Sequence, residues 1–154
     1  LLNLIMGREQ NHINLRTEKE GLHVLKEQVK GFHIPSKEDK KYLYSICDIE
    51  YKRFSRSIDG VVLKVKSVSD VRSREDFLLI EVKTTKSKSV KKLPYGVFFG
   101  FTQNEEELFS TQYNYRLCIV HSILEEYCFL TFDEYKGLIQ NKRIQYQINF
   151  RSES

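Results

Sequence analysis

Glu81 and Lys83 stand two residues apart near the end of an apolar run, FLLIEVKTT, from Phe77 to Thr85. Side chains at i and i+2 of a strand share a face, so this carboxylate and ammonium emerge side by side while Val82 faces the opposite way. Upstream, the stretch SIDGVV supplies a second acid, Asp59, immediately before Gly60. Two acids and an amine so arranged suit hydrolysis assisted by a hard divalent cation. An ionised Glu and Lys at the edge of a buried strand are costly unless they are paired, hydrated or holding such a cation.

The spelling E-x-K carries little weight alone. With 15 Glu and 16 Lys in 154 residues, composition predicts roughly 1.6 copies by chance, and four occur. Setting separates them. Glu38 and Lys40 follow Pro35 and Ser36, where Ser36 and Asp39 form a capping-box signal, so they decorate the first turn of a helix. Glu134 and Lys136 lie in FDEYKGLIQ, which also reads as a short helix, while Glu50 and Lys52, in DIEYKRF, read as a possible strand with polar flanks. Only Glu81 and Lys83 follow a run that fills both strand faces, with Leu78, Ile80 and Val82 on one and Phe77 and Leu79 on the other. That is the pattern of a central strand covered on two sides.

The elements that must position this strand can be read along the chain. Thr17 to Phe32 is amphipathic, with Leu22, Leu25, Val29 and Phe32 at helical spacing and a capping signal at Thr17 and Glu20. A second helix runs from Lys37 to about Cys47, and KRFSRS fits neither helix nor strand clearly. Ile58 to Val68 is expected as a strand, joined to Phe77 by the polar hairpin connection SVSDVRSRED. T-Q-N-E at Thr102 opens a short helix to about Thr111, followed by strands at Tyr115 to Leu124 and Glu126 to Phe132. A helix over Glu134 to Gln140 and an alternating strand, Ile144 to Phe150, close the order, which is that of an α/β protein with a mixed sheet.

At 154 residues the chain is the size of one domain, with a core over 17–150 and a peripheral segment over 1–16. It is 40% hydrophobic and 30% charged, with no low-complexity tract. A net charge of +4 permits a polyanionic partner without requiring one. No stretch approaches the ~18 apolar residues of a membrane span, and LLNLIM is too short for a signal-peptide core, so an intracellular setting, cytoplasmic or nuclear, is expected. The start at Leu1 is compatible with a piece of a longer chain. Cys47, Cys118 and Cys128, odd in number and widely spaced, indicate buried thiols rather than disulfides or a zinc site.

An acid at one strand and E-x-K at the end of the next, inside this element order, resembles the PD-(D/E)xK nuclease superfamily and its restriction-endonuclease-like fold. The resemblance covers roughly Thr17 to Leu124, and TQNEEELF followed by YRLCIVHSI is similar to the Mrr-like restriction nucleases of that group. Ile58 stands where the family has proline. The resemblance implies a restriction-endonuclease-like mixed sheet flanked by helices, with Asp59 and Glu81 as metal-binding carboxylates and Lys83 as the third catalytic residue. It further implies Mg²⁺, with Mn²⁺ as a substitute, and the Val82 backbone carbonyl as a further ligand. Phosphodiester hydrolysis needs an activated water and neutralisation of charge on the phosphorane, which carboxylates, Mg²⁺ and a lysine can supply.

Each assignment has a plainer counterpart. Asp-Gly is a turn dipeptide, Glu81 and Lys83 form an ion pair at a strand end, and Glu20 is explained by its cap position. Glu50, His23 and His121 are weaker candidates for the site, since a lone histidine is usually structural. Beyond Lys83 the chain turns basic, with Lys86, Lys88, Lys91 and Lys92 interleaved with Thr and Ser, as contact with a phosphate backbone requires and as a solvated loop also allows. The leading expectation is a Mg²⁺-dependent DNA endonuclease of restriction or another nucleic-acid defence or processing role, acting as a homodimer or as part of a larger nuclease. An RNA endonuclease of the same fold and a non-catalytic nucleic-acid-binding or assembly domain are the alternatives.

Overall fold

A computed structural model describes residues 16–153. Of the segment expected to be peripheral, 1–16, all but Arg16 lies outside those residues. The described chain is mixed α/β. Strands β1 (Phe32–His33), β2 (Gly60–Leu63), β3 (Phe77–Thr85), β4 (Tyr115–His121) and β5 (Glu126–Leu130) form one sheet in that spatial order. Helix α1 occupies residues 16–28 of those described, followed by α2 (Lys37–Ile46), α3 (Tyr51–Phe54), α4 (Gln103–Thr111) and α5 (Phe132–Leu138). All neighbouring strands are antiparallel except β3 and β4, which are parallel and joined by a crossover containing α4.

β3 divides the core as its alternation requires. Phe77 and Leu79 pack into the larger apolar cluster, with Leu43 and Tyr44 of α2, Phe54 of α3, Leu108 and Phe109 of α4 and Tyr135 of α5. Ile80 and Val82 face the other way, with Cys118 and Val120 of β4, beneath Val24 and Leu25 of α1. Glu81 and Lys83 continue the row of Phe77 and Leu79 and so lie on the face covered by α2 to α5.

Helix starts follow their caps. Ser36 Oγ accepts the Asp39 amide at 3.1 Å to open α2, and Thr102 with Glu105 and Thr131 with Glu134 form reciprocal capping boxes at α4 and α5. α5 therefore starts before the expected Glu134. Thr17 lies within α1, since residue 16 is already helical. α1 ends before Phe32, which pairs with Val62 as a strand, because Gly31 at φ +85° turns the chain. A Cβ there would meet the Leu63 carbonyl oxygen at 2.3 Å.

Three strands are shorter than expected, and one is not formed. β2 stops at Leu63, and the connection beyond it folds into two 3₁₀ turns, Val68–Asp70 and Arg74–Asp76, that bury Val68 and Val71. β4 stops at His121, where a turn with Glu125 at φ +53° leads into β5, which itself ends at Leu130. Residues 144–150 are not a strand: Ile144, Tyr146, Ile148 and Phe150 alternate as expected but are exposed. Alternation sets which faces side chains take, and a strand also needs a ladder partner. Tyr51–Phe54 is a helical turn, so Glu50 becomes the exposed N-cap of α3 rather than part of a strand. No helix among the described residues is long and apolar enough to cross a membrane.

α1 approaches the sheet closely at Gly21, where a Cβ would lie 2.0 Å from Thr84 Oγ1 and 3.1 Å from Thr84 Cβ. Gly21→Ala should therefore destabilise the fold by about 1–3 kcal/mol despite alanine's better helix propensity. Gly21→Ala combined with Thr84→Ala should recover most of the loss. Urea unfolding of the three proteins checks this, and equal midpoints for parent and Gly21→Ala would refute the close approach.

Candidate functional site

The site forms where β3 outruns β2. Gly60 is opposite Ile80, and the last backbone rung runs from the Asp59 amide to the Ile80 carbonyl at 2.8 Å. Two residues further along β3, the Val82 amide has no β2 residue opposite it. The Asp59 side chain takes that place, with Oδ2 accepting the Val82 N–H at 2.8 Å. The Val82 carbonyl points to the same edge as its amide, as strand geometry requires.

The segment that delivers Asp59 is held at three successive points. Tyr44 donates its hydroxyl to the Phe54 carbonyl at 2.7 Å, Lys40 its ammonium to the Ser55 carbonyl at 2.9 Å, and Tyr115 its hydroxyl to the Ser57 carbonyl at 2.6 Å. Burial drives both phenols far above their ordinary pKa, so both remain hydroxyl donors. Burial lowers the pKa of Lys40, against the opposing pull of Asp59 and Glu81.

Glu81 is almost sealed, its side chain 5% exposed. Its Oε1 lies 3.2 Å from Lys83 Nζ, while Oε2 is buried with no hydrogen-bonding partner. Burial first, and then the negative charge of Asp59 within hydrogen-bonding reach, push its pKa up to about 10. Lys83, 18% exposed, lies 3.1 Å from Oε1 of Glu105 as well, and its ammonium sits 5.5 Å from the Phe101 ring centre. Burial disfavours its charge, but Glu81 and Glu105 more than offset this and raise its pKa.

The orphaned Glu81 oxygen supplies a test of whether these residues fit a metal ion. That oxygen is satisfied either by a proton, which burial and the Asp59 charge favour, or by a bound cation in its place. One oxygen of Asp59 is already committed to Val82 and one of Glu81 to Lys83, so each carboxylate would offer one oxygen, with the Val82 carbonyl beside them. That small set of hard donors suits Mg²⁺, which keeps several of its waters. Among the described residues no group of three or more His, Cys, Asp or Glu side chains converges on a metal position. Oε1 of Glu105 is occupied by both Lys83 and the Thr102 amide.

Asp59, Glu81, Val82 and Lys83 thus come together, and the other candidates lie elsewhere. Glu20, on α1 across the sheet, is paired with Lys86 at 2.7 Å, and that hydrogen bond lowers its pKa. Lys91 and Lys92 border a shallow groove with Gln28 and with residues 125–128 around the start of β5, whereas Asp59 lies on the β2 side of β3; Lys88 is exposed. Glu50 is exposed, as is His23, which contacts Glu27 at 3.4 Å. His121 is buried, with Nδ1 accepting the Leu124 amide at 3.2 Å and Nε2 2.9 Å from the Ser87 carbonyl, a structural arrangement. Cys47 and Cys118 are buried free thiols, and Cys128 is a half-buried one.

Two members were missed by sequence reasoning. Glu105 and Lys40 each sit in a helix-start motif that accounts for them locally, which hid their approach to β3. No protein-family model matches the chain, and neither the curated proteins nor the solved structures searched contain a match to it.

The Glu81 shift has a measurable consequence without metal. Between 4.5, its ordinary value, and about 10 the folded state keeps a proton that the unfolded state releases, so stability falls as pH rises through this window. The contribution approaches roughly 1.4 kcal/mol per pH unit for one proton. Glu81→Gln should therefore flatten the decline of stability from pH 6 to 8 in EDTA. Equal slopes for parent and variant in urea titrations would contradict a protonated Glu81.

Proposed function

We propose that this protein is a metal-dependent endonuclease of the PD-(D/E)xK type that hydrolyses phosphodiester bonds in DNA. The observation that carries this reading is the pairing of Asp59, fixed on the Val82 amide, with Glu81, whose Oε2 is buried without a partner, beside the Lys83 ammonium. Asp59, Glu81 and the Val82 carbonyl would hold Mg²⁺ or Mn²⁺, and the bound ion would lower the pKa of a water and neutralise charge on the phosphorane. Lys83, anchored on two carboxylates, retains an ammonium donor to orient the attacking water and to face charge developing on the phosphate. Lys88, Lys91 and Lys92, with Lys86 where it releases Glu20, would contact the phosphate backbone, a term that is sequence-independent and salt-sensitive.

A double-strand cutter with one site per chain commonly works beside a second copy or a second nuclease unit, and a homodimer or a larger nuclease is the assembly we propose. Restriction, or another nucleic-acid defence or processing role, fits that chemistry. The second reading is a non-catalytic nucleic-acid-binding or assembly domain, favoured by the near-complete burial of Glu81 and the lack of a third converging carboxylate among the described residues.

Incubation with plasmid DNA and with single-stranded RNA, in Mg²⁺, Mn²⁺ or EDTA, separates the readings. DNA cleavage abolished by EDTA is expected; cleavage of RNA alone would change the substrate, and salt-sensitive binding without cleavage would favour the second reading. Glu81→Ala and Lys83→Ala should each slow cleavage on the order of 100-fold or more while DNA binding persists. Cleavage at the parent rate by either variant would refute the site.

A further inference from the structure

We infer that Glu105, at the start of α4, is a positioning residue that holds Lys83 in its working place and thereby leaves Glu81 free to take a cation. This inference rests on the nuclease reading of the site. The Lys83 side chain is long and flexible, and fixing its ammonium costs conformational entropy that one ion pair recovers poorly. Here two carboxylates share it, Glu81 at 3.2 Å and Glu105 at 3.1 Å. With Glu81 alone as partner, the ammonium would compete directly with any cation for the same carboxylate. A second anchor from α4 relieves that competition and directs the ammonium from the side opposite the strand.

Glu105 is itself rigidly placed. Its Oε1 accepts the Thr102 amide at 3.0 Å, its own amide donates to Thr102 Oγ1 at 3.1 Å, and the Phe101 ring lies beside the ammonium it holds. The capping box does not account for its burial. Glu134 occupies the same position in the box that opens α5, bonds Thr131 in the same way, and is exposed. Glu105 is 5% exposed and ion-paired. Two boxes of one design therefore differ in one respect: only that of α4 aims its carboxylate at the β3 lysine.

The test compares Glu105→Gln, Glu105→Ala and Glu134→Ala in the full chain, with Lys83→Ala as reference. Glutamine keeps an oxygen for the Thr102 amide and loses the charge, so Glu105→Gln should melt near the parent temperature. Both Glu105 variants should lower kcat on DNA on the order of 10-fold with KM little changed, the size of effect that removing an outer-shell partner produces. Both should also raise the rate at which acetic anhydride modifies Lys83, followed by peptide mass spectrometry. Glu134→Ala should weaken its cap without altering kcat or Lys83 acetylation. Unchanged Lys83 acetylation in both Glu105 variants would overturn the assignment, whether or not the parent cleaves. Absence of parent cleavage, or a Lys83→Ala variant as fast as the parent, would instead overturn the nuclease reading, and raised acetylation would still sustain Glu105 as the residue that holds Lys83.

Discussion

An unmatched backbone amide organises this molecule. β3 continues past the point where β2 begins, and the Val82 N–H would be left without a partner at the edge of a buried strand. Such a group costs about as much as a lost hydrogen bond, so the chain must supply an acceptor. Asp59 supplies it from the residue just before β2, at 2.8 Å. The repair of a sheet ladder thus brings one carboxylate against the strand that carries another.

That proximity sets the electrostatics. Glu81 is buried on the face of β3 that carries the larger core, and desolvation together with the Asp59 charge works against its ionised form. Lys83 opposes both effects, and Glu105 adds a further acid to the same small volume. This balance leaves a proton on Glu81 through the neutral range, in the place a cation would take. The protein keeps the groups in place by fixing the backbone around them: Tyr44, Lys40 and Tyr115 each bind a carbonyl in the segment that leads to Asp59. These supports come from α2 and β4, elements far apart in the chain, so the geometry of the site depends on α2 having docked on the sheet.

Much of β3 and its neighbours was legible because the signals are local. The run from Phe77 to Thr85 has apolar residues on both faces, which only a doubly covered strand can bury, and the observed split between the two clusters follows the alternation residue by residue. The Thr102 box marks the start of α4 for the same reason: cap and partner lie three residues apart and need nothing distant. Local signals failed where a neighbour decided. Phe32 keeps helical spacing with Leu25 and Val29, yet Gly31 turns the chain and Val62 provides a ladder partner, so Phe32 pairs as a strand. Residues 144–150 alternate well and still form no strand.

The sequence by itself determined which strand is central, that Glu81 and Lys83 share one face of it, and that an acid precedes it at Asp59, because side-chain periodicity in a strand is a property of the backbone alone. Tertiary structure decided what those side chains meet. Sheet register set Asp59 on the Val82 amide, and packing of α4 and α2 over β3 brought Glu105 and Lys40 towards the carboxylates, although both occupy positions that a helix start explains without them. Helix-start motifs specify where a helix begins, while the direction in which its first turn points is fixed only when the helix docks.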